Sequence, residues 1–260
     1  MKTDGVLLLE EREDNGVLLL TLNRPDQRNA LATPLLEAIA HALCTADRDS
    51  CIRSVVITGN SKVFAAGADI DELARSDGSE PVEGPRWIAW GAIAAFSKPL
   101  VAAVEGWCLG AGCELMLRCD IVVAGRSARL GQPETNLGII PGAGGTAILP
   151  RKIGMTAAMD MVLTGEPITG ERAYQLGMVA RVVDDGQALE SALELATRLA
   201  TRAPEALRAA KASILKSLEC RLGDHLEAER ERFLGLLAGP EKAEGMAAFR
   251  EKRAPDWSRF

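Results

Sequence analysis

Apolar residues in the first half of the chain gather in short runs separated by polar or glycine-rich segments. Residues 5–9 and 16–22 form two such runs with acidic and Asn-Gly turn residues between them, which predicts a β-hairpin. Three later runs, 54–58, 99–104 and 120–124, are typical of short buried strands. Helical segments lie between them, and this alternation predicts a mixed α/β core whose strand ends face a site.

Two local signals mark boundaries between these elements. Thr33 is predicted to cap a helix that has Pro34 in its first position. Residues 74–86 are polar and contain two prolines and two glycines, so we expect a mobile loop there.

The second half of the chain changes character near residue 187. Long runs rich in Ala, Leu, Glu and Arg predict helices over 187–201, 204–219, 224–237 and 241–252. Their apolar faces must be covered by the core or by a neighbouring subunit, and we favour a subunit contact. The residues on these faces are Leu207, Ile214, Leu218, Leu226, Phe233 and Leu237. We therefore divide the chain into a catalytic core, 1–195, and a helical C-terminal oligomerisation region, 196–260.

Composition and charge remove several classes of protein. The formal net charge is −6 with no long Lys/Arg run, which argues against a protein that neutralises a nucleic-acid backbone. The chain contains no stretch of roughly 20 apolar residues that could cross a bilayer and no secretory signal at its start. The six cysteines include no Cys-x-x-Cys pair, so we expect reduced thiols, mostly in the core, and a cytoplasmic location.

Only two histidines, His41 and His225, are available for chemistry, and both lie in segments with helical periodicity. A Ser-His-Asp triad or a histidine-based metal site is therefore not expected. Phosphate-binding and dinucleotide-binding glycine motifs are also missing from the sequence. Any chemistry must come from carboxylates, backbone donors or hydroxyls.

Two glycine-rich segments, Phe64–Asp69 and Gly106–Glu114, each lie between a strand and a helix. Both place backbone N–H groups at a helix N-terminus, where two donors aimed at one point could stabilise an oxyanion. The alternative is that these glycines only permit tight turns.

A third segment places a carboxylate after a proline: Gly131-Gln-Pro-Glu134. Glu114, three residues beyond Ala111, lies in the first turn of its helix among apolar neighbours. A carboxylate in such surroundings has the raised proton affinity that acid/base catalysis needs. The alternative for Glu114 and Glu134 is that both are ordinary surface charges near a helix start.

These segments together resemble the crotonase family of enoyl-CoA hydratases and isomerases over nearly the whole chain. The resembling motifs are Asn23-Arg-Pro25, Asn29-Ala-Leu31, Phe64-Ala-Ala-Gly-Ala-Asp-Ile70, Lys98-Pro99, Gly110-Ala-Gly-Cys-Glu114, Gly131-Gln-Pro-Glu134 and Pro141-Gly-Ala-Gly-Gly-Thr146. The resemblance implies an α/β fold, a spiral of ββα units with a helical C-terminal region that builds trimers, often paired as hexamers.

The resemblance also implies roles for individual residues. The backbone N–H groups of Ala68 and Ala111 would form the oxyanion hole for an acyl-CoA thioester, although family members commonly have glycine at position 111. Glu114 would activate water as a base and Glu134 would protonate the substrate as an acid. Because both carboxylates are present, a hydratase that converts a 2-enoyl-CoA to a 3-hydroxyacyl-CoA is favoured. The alternatives are a Δ3,Δ2-enoyl-CoA isomerase and an inactive relative that binds acyl-CoA or RNA.

Further residues are expected to bind the substrate. By resemblance these are Arg28, Ala66, Gly67, Asp69, Ile70, Gly110 and Gly142, with Phe249 and Lys252 supplied by a neighbouring subunit. The spacing of Arg86 and Trp90 is similar to that in family members that hydrate 2,3-dehydroadipyl-CoA in phenylacetate degradation. We expect Arg86 to meet the distal carboxylate of such a chain while Trp87 or Trp90 lines the acyl pocket; alternatively, Arg86 is a solvated loop charge. No metal or redox cofactor is expected, since CoA enters with the substrate.

Overall fold

The computed structural model describes residues 5–79, 81, 83–257 and 259–260, and in this part of the chain ten strands and eleven α-helices are present. The strands are β1 (Leu8–Arg12), β2 (Val17–Leu22), β3 (Ser54–Thr58), β4 (Val63–Ala65), β5 (Leu100–Val104), β6 (Trp107–Leu109), β7 (Ile121–Gly125), β8 (Arg129–Gly131), β9 (Ile168–Thr169) and β10 (Arg181–Val183). The helices are α1 (Thr33–Arg48), α2 (Ile70–Arg75), α3 (Pro85–Ala95), α4 (Ala111–Arg118), α5 (Gly145–Ile153), α6 (Met155–Thr164), α7 (Gly170–Gln175), α8 (Ala188–Ala200), α9 (Pro204–Lys216), α10 (Leu222–Ala238) and α11 (Pro240–Glu251).

A six-stranded sheet with the order β1-β2-β3-β5-β7-β10 forms the centre of the molecule. Its strands pair in parallel except at the β1–β2 hairpin. Alternate side chains point to opposite faces of a strand, so Leu18 and Leu20 enter the main core while Val17 and Leu19 pack beneath α8. Because both faces are covered, the inner strands are continuously apolar.

A second sheet, of order β4-β6-β8-β9, brings the glycine-rich segments together. β6 pairs in parallel with β4 on one side and with β8 on the other. The chain leaves β4 toward α2, leaves β6 directly into α4, and leaves β8 toward Glu134. The three segments identified in the sequence therefore begin at the ends of three neighbouring strands.

The predicted hairpin and buried strands are confirmed, with two corrections near the N-terminus. β1 occupies residues 8–12 rather than 5–9; it lies at the sheet edge, where its charged residues can face solvent, and Arg12 pairs with Asp49 at 2.8 Å. Thr33 is the first residue of α1 and not its cap. The carboxylate of Glu72 instead accepts hydrogen bonds from the Thr33 N–H and hydroxyl, at 3.0 to 3.1 Å.

The segment 74–86, predicted as a mobile loop, is shorter than expected. Residues 74–75 complete α2, and residues 85–86 begin α3. Positions 80 and 82 lie outside the described residues; the others between the two helices are irregular.

The four predicted C-terminal helices are confirmed as α8 to α11 within a few residues. The proposed division between residues 195 and 196 falls inside α8, whose buried alanines pack against the large sheet. The division itself stays a prediction, but the structure joins all of α8 to the core. In the single chain several apolar side chains on α9 and α10 are exposed, among them Ile214, Leu226 and Phe233, and so is Leu218 in the turn between the two helices.

All six cysteines are free thiols, but only Cys108, Cys113 and Cys119 are buried. The expectation of mostly core thiols is therefore wrong for Cys44 and Cys51, which are exposed, and for Cys220, which is half-buried. Among the helices of the described residues, none combines the length and apolar character needed to cross a membrane.

Candidate active site

A cavity of about 860 Å³ collects the residues that the sequence singled out. Glu114 and Glu134 lie in its wall together with Ala68 and Ala111, the two expected oxyanion donors. Nine of the other predicted binding residues also line it: Arg28, Ala66, Gly67, Asp69, Ile70, Arg86, Trp90, Gly110 and Gly142. Segments remote in sequence thus form one site.

The two expected oxyanion donors are available for a ligand. Ala111 is the first residue of α4, and Ala68 forms an isolated parallel bridge with Leu31 two residues before α2. Within the described residues, neither backbone N–H donates to another group of the chain. The sequence suggested that both donors lie at a helix N-terminus. This holds for Ala111, whereas Ala68 lies two residues before the start of α2. The glycines before the two donors, Gly67 (φ 125°) and Gly110 (φ 51°), have backbone conformations that L side chains rarely adopt.

Glu114 is a buried carboxylate held by backbone donors. Only 3% of the residue is exposed, and its Oε1 accepts hydrogen bonds from the N–H groups of Ala143 (2.7 Å) and Gly145 (2.8 Å). Burial raises the pKa of Glu114, while these two hydrogen bonds oppose the rise because they stabilise the ionised form. The carboxylate is therefore oriented and still able to accept a proton.

Glu134 faces the same cavity from a short 3-10 turn that follows Pro133. Burial and the nearby negative charge of Glu114 raise the pKa of Glu134 to about 7. A Cβ atom at Gly110 would lie 3.0 Å from Glu134 Oε1, so this glycine leaves the room that the carboxylate occupies. The two glutamates are therefore not surface charges, in contrast to the alternative left open above.

Arg86 is the second residue of α3, and only 14% of its side chain is exposed, so it is not a solvated loop charge. Its guanidinium donates to the Leu31 carbonyl oxygen at 3.1 Å and lies 3.7 Å from Glu72. The same helix contributes Trp87 and Trp90 to the cavity wall.

Asp69 has a structural task besides lining the cavity. Its carboxylate caps α2 by accepting from the N–H groups of Asp71 and Glu72, and it pairs with Arg24 at 3.1 Å. Phe249 and Lys252 lie near the end of α11 and do not line this cavity of the single chain, within its described part. Their expected contribution from a neighbouring subunit stays a prediction.

The sequence interpretation missed several residues around the glutamates. With its amide oriented to satisfy its hydrogen bonds, fully buried Gln132 donates from Nε2 to both oxygens of Glu134 at 3.1 Å. Gln132 belongs to a recognised motif, so its position was visible but its partner was not. The backbone donors of Ala143 and Gly145 could not be predicted, because every residue type other than proline carries the same N–H group. In the described residues no cluster of three or more His, Cys, Asp or Glu side chains could hold a metal ion.

Comparisons with known proteins identify the family of this chain. The profile of the enoyl-CoA hydratase/isomerase family matches residues 12–259. The chain is 49% identical to 2,3-dehydroadipyl-CoA hydratase of Escherichia coli over 93% of this chain and 94% of the relative. It is 41% identical to a probable enoyl-CoA hydratase of Mycobacterium leprae over 92% and 93% of the two chains. A crystal structure of an enoyl-CoA hydratase subunit from Geobacillus kaustophilus superimposes with a TM-score of 0.92 at 39% identity, covering 96% and 97%.

The chain therefore belongs to the enoyl-CoA hydratase/isomerase family. The predicted crotonase-like α/β fold is confirmed. The prediction that the protein is an enzyme, an enoyl-CoA hydratase, is confirmed as well.

Proposed function

We propose that this enoyl-CoA hydratase adds water across the 2,3 double bond of a dicarboxylic 2-enoyl-CoA such as 2,3-dehydroadipyl-CoA, using Glu114 and Glu134. The observation that carries the proposed mechanism is that one cavity holds two carboxyl groups of raised pKa and two backbone donors without an acceptor among the described residues. The donors supply charge stabilisation and the carboxyl groups supply proton transfer.

Each step of the addition has a residue to perform it. The N–H groups of Ala68 and Ala111 bind the thioester carbonyl oxygen and stabilise the negative charge that develops there. Glu114 removes a proton from water as the water oxygen bonds to C3 and the π electrons move toward the carbonyl. Glu134 then delivers a proton to C2, which gives the 3-hydroxyacyl-CoA. Dehydration runs the same steps in reverse.

The environments of the two carboxyl groups fit these opposite tasks. Two backbone N–H groups point at Glu114 and favour its ionised form, as a base requires. A pKa of about 7 leaves Glu134 partly protonated near neutral pH, as an acid requires. Because the two groups interact, they titrate as a pair.

A dicarboxylic substrate is favoured by two observations. The relative of 49% identity is named for 2,3-dehydroadipyl-CoA. In addition, Arg86 lines the cavity on the same helix as Trp87 and Trp90, so a cation borders an aromatic wall. We propose that the distal carboxylate of the acyl chain meets the Arg86 guanidinium, since an arginine fork matches a carboxylate.

The first experiment follows the enoyl-thioester absorbance with crotonyl-CoA and 2,3-dehydroadipyl-CoA, using wild type and Glu114→Gln. We expect absorbance to fall with wild type only, and to fall faster with the dicarboxylic substrate. Product analysis separates hydration from isomerisation, because an isomerase yields no hydroxyacyl-CoA. Absence of a hydroxyacyl product with either substrate would overturn the proposed reaction.

Substrate preference is tested with Arg86→Leu. Arg86 also lowers the pKa of Glu114, so its loss affects both substrates and the informative quantity is the ratio of their kcat/KM values. We expect kcat/KM for 2,3-dehydroadipyl-CoA, divided by kcat/KM for crotonyl-CoA, to fall at least about tenfold, as for loss of a charge-assisted hydrogen bond. Arg75→Leu removes another cation of the cavity wall and should leave the ratio unchanged. An unchanged ratio in Arg86→Leu would contradict the assignment.

We further propose a cytoplasmic homotrimer, or a hexamer of paired trimers, with Phe249 and Lys252 of one subunit near the CoA of the next. The exposed apolar residues of α9 and α10, including Phe233 at 57% exposure, support burial between subunits. Light scattering should give the mass of a trimer or hexamer for wild type and a smaller mass for Phe233→Asp.

Since backbone donors and carboxylates suffice for the chemistry, we expect full activity after dialysis against EDTA.

A further inference from the structure

We propose that Arg118 is a positioning residue for Glu114: it holds the loop that carries the two backbone donors, and its positive charge acts on the carboxylate. The inference rests on the proposed role of Glu114 as the base. Arg118 itself does not line the cavity among the residues described, so it acts through the loop and through its charge.

The geometry joins Arg118 to Glu114 through a single residue. Both side chains lie on α4, one turn apart. Arg118 Nη2 donates to the carbonyl oxygen of Ala143 at 2.8 Å, and the N–H of the same Ala143 donates to Glu114 Oε1 at 2.7 Å. One residue of the loop thus connects the guanidinium with the carboxylate.

The backbone between the two donors depends on this contact. Gly144 separates Ala143 from Gly145 and has φ 120°, a conformation that L side chains rarely adopt. A Cβ atom at Gly144 would lie 3.1 Å from Arg118 Nη2, so the guanidinium packs directly against the turn. Without it, the turn loses the side-chain contact that fixes the direction of both N–H groups.

Arg118 interacts electrostatically with Glu114. Its Nε is buried and has no hydrogen-bond partner among the described residues. Burial raises the pKa of Glu114, and of the two cations that oppose this rise Arg118 has the larger effect and Arg86, from α3, the smaller. Among the described residues, Glu134 also interacts with Glu114, through its negative charge. Lys152 of α5 interacts instead with Asp120, beyond the opposite end of α4, and Asp120 pairs with Lys211 at 2.8 Å.

Two substitutions separate the charge from the loop contact. Arg118→Met keeps much of the length but removes charge and donors, whereas Arg118→Lys keeps the charge. Loss of the charge raises the pKa of Glu114, so in Arg118→Met the acid limb of the pH profile of kcat/KM should move up by about one pH unit. The plateau kcat should also fall about tenfold, with KM nearly unchanged. Arg118→Lys should restore the acid limb while its plateau stays below that of wild type.

A readout that does not need turnover keeps this proposal distinct from the proposed function. With ¹³C-labelled glutamate, the Glu114 carboxyl resonance is assigned by its loss in Glu114→Gln, and its titration midpoint should be higher in Arg118→Met. If wild type hydrated no enoyl-CoA but the midpoint moved, the proposed function would fail and the link from Arg118 to Glu114 would stand. An unmoved midpoint together with a superimposable pH profile would overturn the role of Arg118.

Discussion

The side-chain amide of Gln132 donates to both carboxylate oxygens of Glu134 at 3.1 Å, from a residue with no solvent exposure. Two donor contacts fix the plane of the carboxylate and favour its ionised form. Donation to the ionised carboxylate acts against burial, which raises the pKa of Glu134. It also orients the group that we assign as the proton donor.

Replacement of Gln132 by methionine removes the donors at similar side-chain length. The pKa of Glu134 should rise further, so the alkaline limb of the hydration profile should move to higher pH, and kcat should fall about tenfold or more. The pH dependence of crotonyl-CoA hydration measures both effects. Gln187→Met, at an exposed helix start without a side-chain cap, is the matched control and should behave as wild type. An unshifted alkaline limb would show that Gln132 does not affect the pKa of Glu134.

Substitution of Ala111 by proline tests the backbone donor itself. Proline lacks an N–H but is well tolerated at the first position of a helix, which Ala111 occupies. We expect kcat to fall by about two to three orders of magnitude with the helix retained, as for loss of one oxyanion donor. Ala111→Gly keeps the N–H and should remain within a few-fold of wild type. If the proline variant kept most of its turnover, the thioester oxygen would not bind there.

β4 and α4 approach each other closely at Gly112, and this approach sets the spacing of the two oxyanion segments. A Cβ atom there would overlap the carbonyl oxygen of Ala65 and would lie 2.6 Å from the Ala65 Cβ. Gly112→Ala should therefore lower the free energy of unfolding by about 1 to 3 kcal/mol, the usual range for overpacking, and reduce kcat as well. Gly91→Ala, in α3 with open space around it, should be neutral or stabilising. Urea unfolding at a fixed protein concentration compares the two variants.

The raised pKa of Glu134 predicts how stability changes with pH. The folded-state pKa of about 7 lies above the unfolded value near 4.5, so the favourable contribution of the neutral group is complete below pH 4.5 and is lost as the pH rises through 7. Glu134→Gln stays neutral at every pH. It should exceed wild type in stability by about 1 to 2 kcal/mol at pH 8, after allowance for partial solvent exposure, and match it near pH 4.5. An equal difference at both pH values would show that Glu134 titrates normally in the folded protein.

Elements with local signals could be predicted well from the sequence. The apolar runs of the inner strands and the helical periodicity after residue 187 gave elements within a few residues of those observed. The edge strand β1 was misplaced because its residues beyond Leu9 are exposed, so charged residues such as Glu10 and Arg12 do not interrupt it. Thr33 was misassigned because the carboxylate that caps α1 belongs to Glu72, 39 residues away.

The motif residues were easier to locate than to interpret. Lys98 was recognised with Pro99, but its ammonium group is buried and donates to the carbonyl oxygens of Ala46, Asp49 and Ile52 at 2.6 to 2.7 Å. Lys98 thus closes the end of α1. Nothing in the order of residues distinguishes such a structural lysine from one that binds substrate.

By itself the sequence determined the helix and strand pattern, the family, and the two carboxylates, because periodicity and motif residues are local properties of the chain. The tertiary structure alone decided which groups surround those carboxylates: the backbone N–H groups of Ala143 and Gly145, the amide of Gln132 and the guanidinium of Arg118. The physical reason is that a pKa depends on burial and on charges and donors within a few ångströms, and folding brings these together from distant parts of the chain.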